Sequence, residues 1–260
     1  MNILDAYVTG APKPQNILDI FSGEWSSRLP AALNLVTEPG QAALFEDPRI
    51  EWASATMGGF TGKTCLELGP LEGGHSYMMQ KNGAGKIIAI ESNRRAFLKC
   101  LCIKEIFDLD KVEFRHGDFR NFLAENSDRF DMLIASGVLY HMPDPLQLIE
   151  QMSRASDRLF IWTHYYDGTV VNARADLRPK FRKLQDVERD GVRYQWIEQA
   201  YGAALNWNGF CGGSEPTSRW LTRESILNCL NARGYDRIDI SFEDKAHPNG
   251  PSFAVCAQRT

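Results

Sequence analysis

The side chains best suited to chemistry lie in and around a glycine-rich turn within residues 64–76. The segment opens as a short apolar run that contains Glu67 near its end. It breaks at Gly69, Pro70 and Gly73, and then continues with a helical pattern. A strand, a glycine turn and a helix in this order let a small ligand lie against bare backbone at the start of the helix. We therefore expect a ligand at this turn.

Acidic and aromatic side chains narrow the class of ligand. A turn that binds pyrophosphate has the spacing G-x-G-x-x-G, whereas this one is E-x-G-x-x-x-G, and Glu67 favours a cation over a phosphate. Glu91 ends the next apolar run, where a carboxylate can accept hydrogen bonds from ribose hydroxyls. Asp118 and Phe119 follow the third run and could contact the amine and the ring of a base. This pattern predicts a nucleoside with a positively charged, phosphate-free tail.

Each of these acids also has a purely structural interpretation. Glu67 could be a carboxylate at a helix start, Glu91 a solvated strand end, and Asp118 the cap of the helix that follows it. The cofactor interpretation is favoured because all of them occur in order at the strand ends of one sheet.

Short apolar runs alternate with helical patterns over most of the chain. The predicted strands are 64–68, 86–90, 112–115, 130–136, 158–163, 237–242 and 252–257. Strands that alternate with helices indicate a parallel sheet covered on both faces, with ligands at the carboxyl ends of the strands. We expect an α/β, Rossmann-like, mostly parallel sheet of seven strands with an antiparallel edge strand.

The chain outside this alternation falls into two segments. Residues 1–58 are expected to form an irregular arm and a helix over 41–57 interrupted at Pro48, acting either as a structural wrap or as a lid. Residues 59–260 form the ligand-binding domain. Within it, residues 165–221 follow the fifth strand and are too long for an ordinary connection. Asp190-Gly191 predicts a tight hairpin inside this insert, which should cover the carboxyl edge of the sheet.

Composition excludes several classes of protein. The formal net charge is -4, which gives no basic surface for nucleic acid. No apolar run approaches the length of a membrane span, the first residues do not resemble a secretory signal, and we expect a cytoplasmic protein. The six cysteines and five histidines show no metal-ligand spacing, so no metal site is predicted. The oligomeric state is left open.

The motifs resemble those of the class I S-adenosylmethionine-dependent methyltransferases. The E-x-G-x-x-x-G turn, the acid that ends the second strand, G-D-F after the third, and F-D-M-L-I-A-S-G-V-L-Y-H-M-P-D-P match the family in order and spacing. The last stretch is similar to the branch of tRNA wobble-uridine carboxymethyl-transferring and small-molecule enzymes. The cofactor that the resemblance implies is S-adenosylmethionine.

The resemblance also implies a role for each motif residue. Glu67 would serve the ammonium group of the cofactor, directly or through water, and Gly69, Pro70 and Gly73 would approach its methionine part. The remaining implied contacts are Glu91 and Ser92 at the ribose, Asp118 and Phe119 at the adenine, and Ser136 and Gly137 beside the sulfonium.

Candidates for the methyl-transfer chemistry follow the fourth and fifth strands. His141 or His164 could take a proton from an oxygen or nitrogen acceptor, and Tyr140 could line the site. An aromatic wall suits a sulfonium because ring faces attract cations. The predicted acceptor pocket contains Trp25, Trp162, Tyr165, Tyr166, Asn206 and Trp207, with Asn208 and Trp220 as further candidates. Packed, non-catalytic roles remain open for the histidines and for the aromatic loop.

Three functions stay open at this point. The first is O- or N-methylation of a small molecule in a closed aromatic pocket. The second is tRNA modification, which would use the basic side chains of the insert. The third is intramolecular attack within S-adenosylmethionine, giving azetidine-2-carboxylate and methylthioadenosine. Nucleic acid is the less favoured acceptor, because acidic side chains dilute the basic ones of the insert.

Overall fold

The computed structural model describes residues 3–207 and 209–260, so Asn208 lies outside the described residues. Its strands are β1 Trp25–Ser27, β2 Pro39–Ala42, β3 Thr64–Leu68, β4 Lys86–Glu91, β5 Val112–His116, β6 Met132–Ser136, β7 Arg158–His164, β8 Phe181–Arg189, β9 Val192–Ala200, β10 Thr217–Leu221, β11 Arg237–Asp244 and β12 Ser252–Gln258. Its α-helices are α1 Pro14–Asp19, α2 Pro48–Thr56, α3 Gly74–Lys81, α4 Arg94–Ile106, α5 Phe119–Glu125, α6 Pro145–Ala155, α7 Gly168–Ala173 and α8 Arg223–Ala232.

Seven of these strands form one sheet in the order β11-β12-β7-β6-β3-β4-β5. Neighbours from β7 to β5 pair in parallel, whereas β12 is antiparallel to both β7 and β11. The α/β, Rossmann-like fold class is therefore confirmed. The antiparallel strand lies second from the edge, because the short connection from β11 to β12 can only form a hairpin.

The strands of this sheet are apolar on both faces because helices cover both sides. On one face, Cys65 of β3 packs with Met79 of α3 and Ile103 of α4 in one core cluster. On the other face, Leu66 of β3 packs with Ile149 of α6 in a second cluster. The carboxyl ends of β3 to β7 consequently open toward one edge, where the ligand was predicted.

The arm differs from the helix predicted over residues 41–57. It forms β2, a 3-10 turn at Leu44–Glu46 and then α2, which begins at Pro48. Pro48 occupies the first helical position because it needs no hydrogen-bond acceptor there, and the Asp47 side chain accepts from Arg49 N to cap the helix. The proline therefore starts the helix instead of interrupting it.

The insert contains the predicted hairpin and an additional strand. Strands β8 and β9 pair antiparallel around Asp190 and Gly191, whose φ angles of 53° and 75° are those of a tight hairpin turn. Strand β10, which was not predicted, pairs with β9 to complete a three-stranded sheet. Arg219 N of β10 donates to Met142 O at 2.9 Å, which places this small sheet over the end of β6.

Within the described ranges, no helix combines the length and the apolar character that a membrane crossing requires.

Candidate functional site

A groove of about 480 Å³ runs along the carboxyl ends of β3, β4, β5 and β6. The predicted cofactor residues that line it are Gly69, Glu91, Ser92, Asp118, Phe119 and Gly137. The topology brings them together because the parallel strands that precede them all end at this edge. Lining residues that sequence reasoning did not select include Asn93, Val138, Met142, Phe210 and Cys211.

The turn after β3 uses glycine where a side chain would not fit. Gly69 has φ of 65°, and an added Cβ would lie 2.7 Å from Val138 Cγ1. Gly73 has φ of 80°, and its added Cβ would meet the ring of Phe114 at 3.1 Å. The Pro70 carbonyl accepts from Gly73 N at 2.9 Å and closes the turn. Gly69 therefore keeps backbone open to the groove, whereas Gly73 serves close packing inside the fold.

Glu91 is fixed at the end of β4 by backbone donors. Its two carboxylate oxygens accept from Asn93 N at 2.7 Å and from Leu71 N at 3.1 Å. Burial raises the pKa of Glu91, and these backbone hydrogen bonds oppose that rise. The remaining lone pairs can still accept ribose hydroxyls, so the carboxylate fits the predicted contact.

Asp118 caps α5 and also lines the groove. It accepts from Arg120 N and forms an ion pair with the Arg120 guanidinium at 2.6 Å. The hydrogen bonds from Arg120 hold the pKa of Asp118 below its usual value in spite of partial burial. The structural and the functional interpretation of this aspartate are therefore compatible. Phe119 is 8% exposed and turns its remaining surface to the groove.

Glu67 lies beneath the turn and is only 1% exposed. The Ser76 hydroxyl donates to one of its oxygens, and His75 Nδ1 lies 3.6 Å from the other. Burial raises the pKa of Glu67, while His75 and Ser76 act in the opposite direction. Its partners thus come from the first turn of α3, two and three residues after Gly73.

A second cavity, of about 200 Å³, lies between the ends of β6 and β7 and the insert. Its lining includes all three predicted catalytic residues, Tyr140, His141 and His164. The Trp220 ring stacks on His164 with centroids 5.2 Å apart and planes at 11°, and Phe181 meets Trp220 edge-on at 4.9 Å. The cavity is therefore aromatic on several sides.

His141 is held in one tautomer by Tyr201. The Tyr201 hydroxyl donates to Gly212 O, so the His141 Nδ1 atom, 2.7 Å from that hydroxyl, must carry the hydrogen it donates. Burial lowers the pKa of His141 to about 3, which keeps the ring neutral near pH 7. Its Nε2 atom therefore has a lone pair that can accept a hydrogen bond, whereas a ring of such low pKa is a weak proton acceptor at neutral pH.

His164 shows the same arrangement at the end of β7. Its Nδ1 atom faces the carbonyl of Gly250 at 2.8 Å and that of Pro251 at 3.3 Å, so Nδ1 carries the hydrogen. Burial, together with the neighbouring His247, lowers the pKa of His164 to about 4. Tyr140 packs edge-on against His164 at 4.6 Å, and burial raises the pKa of the Tyr140 hydroxyl, which stays protonated.

Trp162 and Ser136 lie next to residues that line the groove and the cavity, but they are not among the lining residues themselves. Ser136 ends β6 opposite Trp162 of β7 in the sheet register. Gly137 N donates to Trp162 O at 2.9 Å, and a Cβ on Gly137 would lie 3.8 Å from the indole ring. Trp162 also contacts His164 edge-on at 5.2 Å. Trp162 therefore contacts the lining of the groove through Gly137 and the lining of the cavity through His164.

The other predicted pocket residues lie elsewhere. Trp25 and Trp207 line another cavity, of about 910 Å³, between the arm, α4 and the insert loop, which shares Asn93, Phe210 and Cys211 with the groove. Asn206 is exposed at the end of a 3-10 turn. Tyr166 borders another groove beside Phe181. None of the six predicted pocket residues is thus among those that line the aromatic cavity, whereas the further candidate Trp220 is.

The expectation for Tyr165 is corrected. Its side chain is 2% exposed, packs edge-on against Phe253 at 5.4 Å, and donates from its hydroxyl to Glu243 at 3.0 Å. Strand β7 ends at His164, and successive side chains of an extended segment point to opposite faces. Tyr165 therefore points into the core, away from the cavity that His164 lines.

Sequence reasoning missed Arg49, Phe181 and the stretch from Phe210 to Gly213. The glycine-rich composition of that stretch indicated a loop. Its position over the groove depends on two hydrogen bonds, one from the Tyr201 hydroxyl to Gly212 O and one from Asn93 Nδ2 to Phe210 O. Arg49 gave no signal in the sequence, because its guanidinium lies 4.4 Å from the Trp162 ring only after the arm has folded back.

Among the described residues, no group of three or more histidine, cysteine, aspartate or glutamate side chains is arranged to hold a metal ion.

Comparison with known proteins agrees with the geometry. The model of a methyltransferase domain family matches residues 60–200, more than half of the chain. The tRNA U34 carboxymethyltransferase of Psychrobacter cryohalolentis is 26% identical over 107 residues, 37% of this chain and 30% of that protein. The enzyme of the same name from Dichelobacter nodosus is 25% identical over 150 residues, 56% of this chain and 44% of that protein. The chain thus spans less than half the length of the curated relatives it matches.

Solved structures share the fold. The N-terminal domain of EvdMO1, crystallised in the presence of SAH (S-adenosylhomocysteine) and D-fucose, superposes with a TM-score of 0.68 at 19% identity, with 95% of each chain covered. The 1,6-didemethyltoxoflavin-N1-methyltransferase of Burkholderia thailandensis gives a TM-score of 0.55 at 15% identity, covering 84% of this chain and 79% of that one. With its family match, its sheet order and a groove suited to S-adenosylmethionine, the chain belongs to the class I S-adenosylmethionine-dependent methyltransferases.

Proposed function

We propose that the protein methylates an oxygen or nitrogen atom of a small molecule bound in the aromatic cavity beneath the insert. S-adenosylmethionine supplies an electrophilic methyl group on a sulfonium when it is bound. The chain contributes the orientation of the acceptor and the exclusion of water.

The observation that carries this proposal is the position of His141. It lines both the groove of the cofactor and the aromatic cavity, so the two spaces meet at its side chain. With Nδ1–H committed to Tyr201, its Nε2 lone pair is free to accept a hydrogen bond from the hydroxyl or amine of the acceptor and so to orient that group toward the methyl donor. His164 offers a second such hydrogen-bond acceptor in the same cavity.

The cavity also offers donors that would orient an acceptor. Trp220 is 5% exposed, and within the described part of the chain its indole Nε1 is one of the few buried side-chain atoms without a partner. A buried donor left unsatisfied costs about 1–3 kcal/mol, which an oxygen or nitrogen of a bound acceptor would offset. Gln199, Asn249 and Lys180 add polar groups to the aromatic walls. A compact, hydrogen-bonding molecule suits such a lining better than an extended polymer.

Two structural neighbours support a small acceptor. One neighbour was crystallised with a sugar, D-fucose, and another methylates a nitrogen of a heterocycle. We propose further that residues 1–58 and 165–221 form the cover of the site. The insert already contacts the end of β6 through Arg219 N, and the arm reaches Trp162 through Arg49.

The test is to incubate the protein with S-adenosylmethionine alone, with monosaccharides and heteroaromatic amines, and with total tRNA. We expect the release of S-adenosylhomocysteine to depend on a small molecule. The substitution His141→Gln should reduce this release at least tenfold. The variant should bind the small molecule with a similar KM, since Gln keeps a polar side chain of similar length. Methylthioadenosine formed from the cofactor alone would replace this proposal with the intramolecular reaction.

A tRNA acceptor is the second candidate, because the curated relatives are tRNA-modifying enzymes. The charge distribution disfavours it. Of the basic residues of the insert, Arg174 and Arg182 form ion pairs with Asp176 and Glu198. Release of S-adenosylhomocysteine that depends on tRNA, with a steep loss of binding on raising salt, would favour this candidate instead.

A further inference from the structure

The aromatic cavity has two chemically different ends. Its inner end is at His141, which also lines the groove of the cofactor. Its mouth is at Lys180, which lines the cavity and is exposed to solvent. Phe181 belongs both to the cavity and to a neighbouring groove of about 390 Å³ beside β8. An acceptor that fills the cavity therefore meets one set of groups near the methyl donor and another set at the mouth.

The inner end is polar but uncharged. Burial lowers the pKa of His141 to about 3 and that of His164 to about 4, so both rings are neutral near pH 7. Because each ring already donates its Nδ1 hydrogen, both present Nε2 as a hydrogen-bond acceptor. This end consequently suits the hydroxyl or amine that receives the methyl group.

The mouth carries the formal charge of the lining. Among the described residues that line the cavity, Lys180 is the one charged at neutral pH, because both histidines are neutral and no aspartate or glutamate belongs to the lining. Its ammonium group forms no hydrogen bond or ion pair with a described residue. Arg174 and, to a smaller extent, Lys180 lower the pKa of Asp176, but Arg174 already pairs with that carboxylate at 2.6 Å. The positive charge at the mouth is therefore left without a direct partner.

The groove beside the mouth has the same sign of charge. Its described lining contains Arg178 and Arg182 and no acidic residue. Arg182 contacts Glu198 at 3.4 Å, whereas the Arg178 guanidinium forms no ion pair within the described part of the chain. A solvent-exposed pair such as the one at Arg182 contributes little energy. Three cations within residues 178–182 thus give the mouth a positive potential.

We propose that the acceptor carries an anionic group, a carboxylate or a phosphate, which Lys180 binds at the mouth while the hydroxyl or amine of the acceptor lies at His141. This inference rests on the proposed function and names the substrate class. It makes Lys180 a specificity-determining residue that is remote from the atom that is methylated.

A cation at the rim of an aromatic cavity discriminates between acceptors by charge. An anionic group there exchanges water for a charge-assisted hydrogen bond to the ammonium, beside aromatic walls that reduce screening by water. A cationic group in the same place would be repelled, and a neutral group would gain only an ordinary hydrogen bond. The unpaired, buried indole Nε1 of Trp220, another lining residue, adds a neutral donor that also favours an acceptor rich in oxygen.

The test uses pairs of compounds that differ in the charge of one substituent. The carboxylate pairs are 4-hydroxybenzoate with 4-hydroxybenzamide, 4-aminobenzoate with 4-aminobenzamide, and D-glucuronate with D-glucuronamide. D-glucose 6-phosphate with D-glucose distinguishes a phosphate from a carboxylate. The measurement is the release of S-adenosylhomocysteine. In every pair that the protein methylates, the anionic member should have a kcat/KM about fivefold to thirtyfold above that of its neutral partner.

Substitutions of Lys180 assign this preference to one side chain. Lys180→Gln should raise the KM of the anionic compound by about fivefold to thirtyfold and leave kcat within about twofold, because the lost contact is made equally in the ground state and the transition state. The KM of the neutral partner should stay within about twofold. Lys180→Arg keeps the cation and should retain the preference.

A matched control separates this contact from the general charge of the surface. Lys183→Gln removes the same charge three residues further along, and Lys183 is not among the residues that line the cavity or the neighbouring groove. This variant should keep the KM of both members of a pair. Equal effects of Lys180→Gln and Lys183→Gln would overturn the inference and leave the proposed function intact.

The comparison on the unaltered protein decides the question even if a variant does not fold. Equal kcat/KM for the anionic and neutral members, or a preference for the neutral ones, would overturn the inference while small-molecule methylation stands. Release that only total tRNA supports would assign the mouth to the phosphates of a polymer and overturn it as well. If no small molecule supported release, the proposed function would fail together with the inference.

Discussion

Replacement of His164 by asparagine should make the protein less sensitive to acid. His164 is 3% exposed, and its Nδ1 donates to Gly250 O at 2.8 Å, a hydrogen bond that the asparagine amide can retain. The folded protein keeps this ring neutral because burial lowers its pKa from 6.5 to about 4. In the unfolded chain the same ring takes up a proton near pH 6.5.

Proton linkage gives the direction and the magnitude of the change in unfolding free energy that His164 causes. Between the two pKa values the unfolded state binds more protons than the folded one. The contribution of the neutral His164 ring to the free energy of unfolding is therefore complete above pH 6.5 and is lost as the pH falls toward 4. The unfolded ring is about one quarter protonated at pH 7 and almost fully protonated at pH 5. Integrating the difference gives a loss of about 2 kcal/mol between pH 7 and pH 5 that is specific to this histidine.

The assay is urea unfolding of the wild type and His164→Asn at pH 7, 6 and 5, followed by far-UV circular dichroism. The variant has a fixed cost from altered packing against Trp220, which is the same at each pH. The informative quantity is the difference in unfolding free energy between the two proteins, which should shift in favour of the variant by about 2 kcal/mol from pH 7 to pH 5. A difference that stays constant within about 0.5 kcal/mol would refute the reasoning that His164 is held neutral.

Three further outcomes are expected. Glu91→Gln should weaken S-adenosylhomocysteine binding by about tenfold to a hundredfold, because charged hydrogen bonds to the ribose are lost; unchanged affinity by calorimetry would refute the ribose assignment. Gly69→Ala should abolish measurable cofactor binding and lower the melting temperature, because φ is 65° and the added Cβ would lie 2.7 Å from Val138 Cγ1; binding at wild-type strength would show that the turn adapts. Gly191→Ala should destabilise the β8–β9 hairpin by about 1 kcal/mol, since Gly191 has φ of 75°, while cofactor affinity stays within about twofold; a large loss of affinity would show that the hairpin supports the groove directly.

Local sequence signals were sufficient for the sheet and for much of the groove. Runs of four to seven residues formed its strands close to the predicted bounds, Glu91 ends β4, and Gly69 and Asp118 follow the ends of β3 and β5. Parallel strands connected by helices must place their carboxyl ends at one edge, so the order of motifs along the chain sufficed to bring these residues together. Asp190-Gly191 similarly fixed the hairpin, because few dipeptides adopt two consecutive positive φ angles.

Tertiary structure alone determines the contacts that define the aromatic cavity and the contact between the arm and α3. Trp220 stacks on His164 across 56 residues of sequence, and Asp47 meets His75 across 28, and neither pair leaves a local periodicity. Sequence reasoning also could not tell which of two adjacent residues, His164 or Tyr165, faces the cavity. The sequence placed both after a buried strand, but only the packing of β7 between β6 and β12 decided which ring faces the cavity. The sequence by itself therefore determined the sheet and the glycine turn, while the aromatic cavity depends on side chains that meet only once the insert has packed onto that sheet.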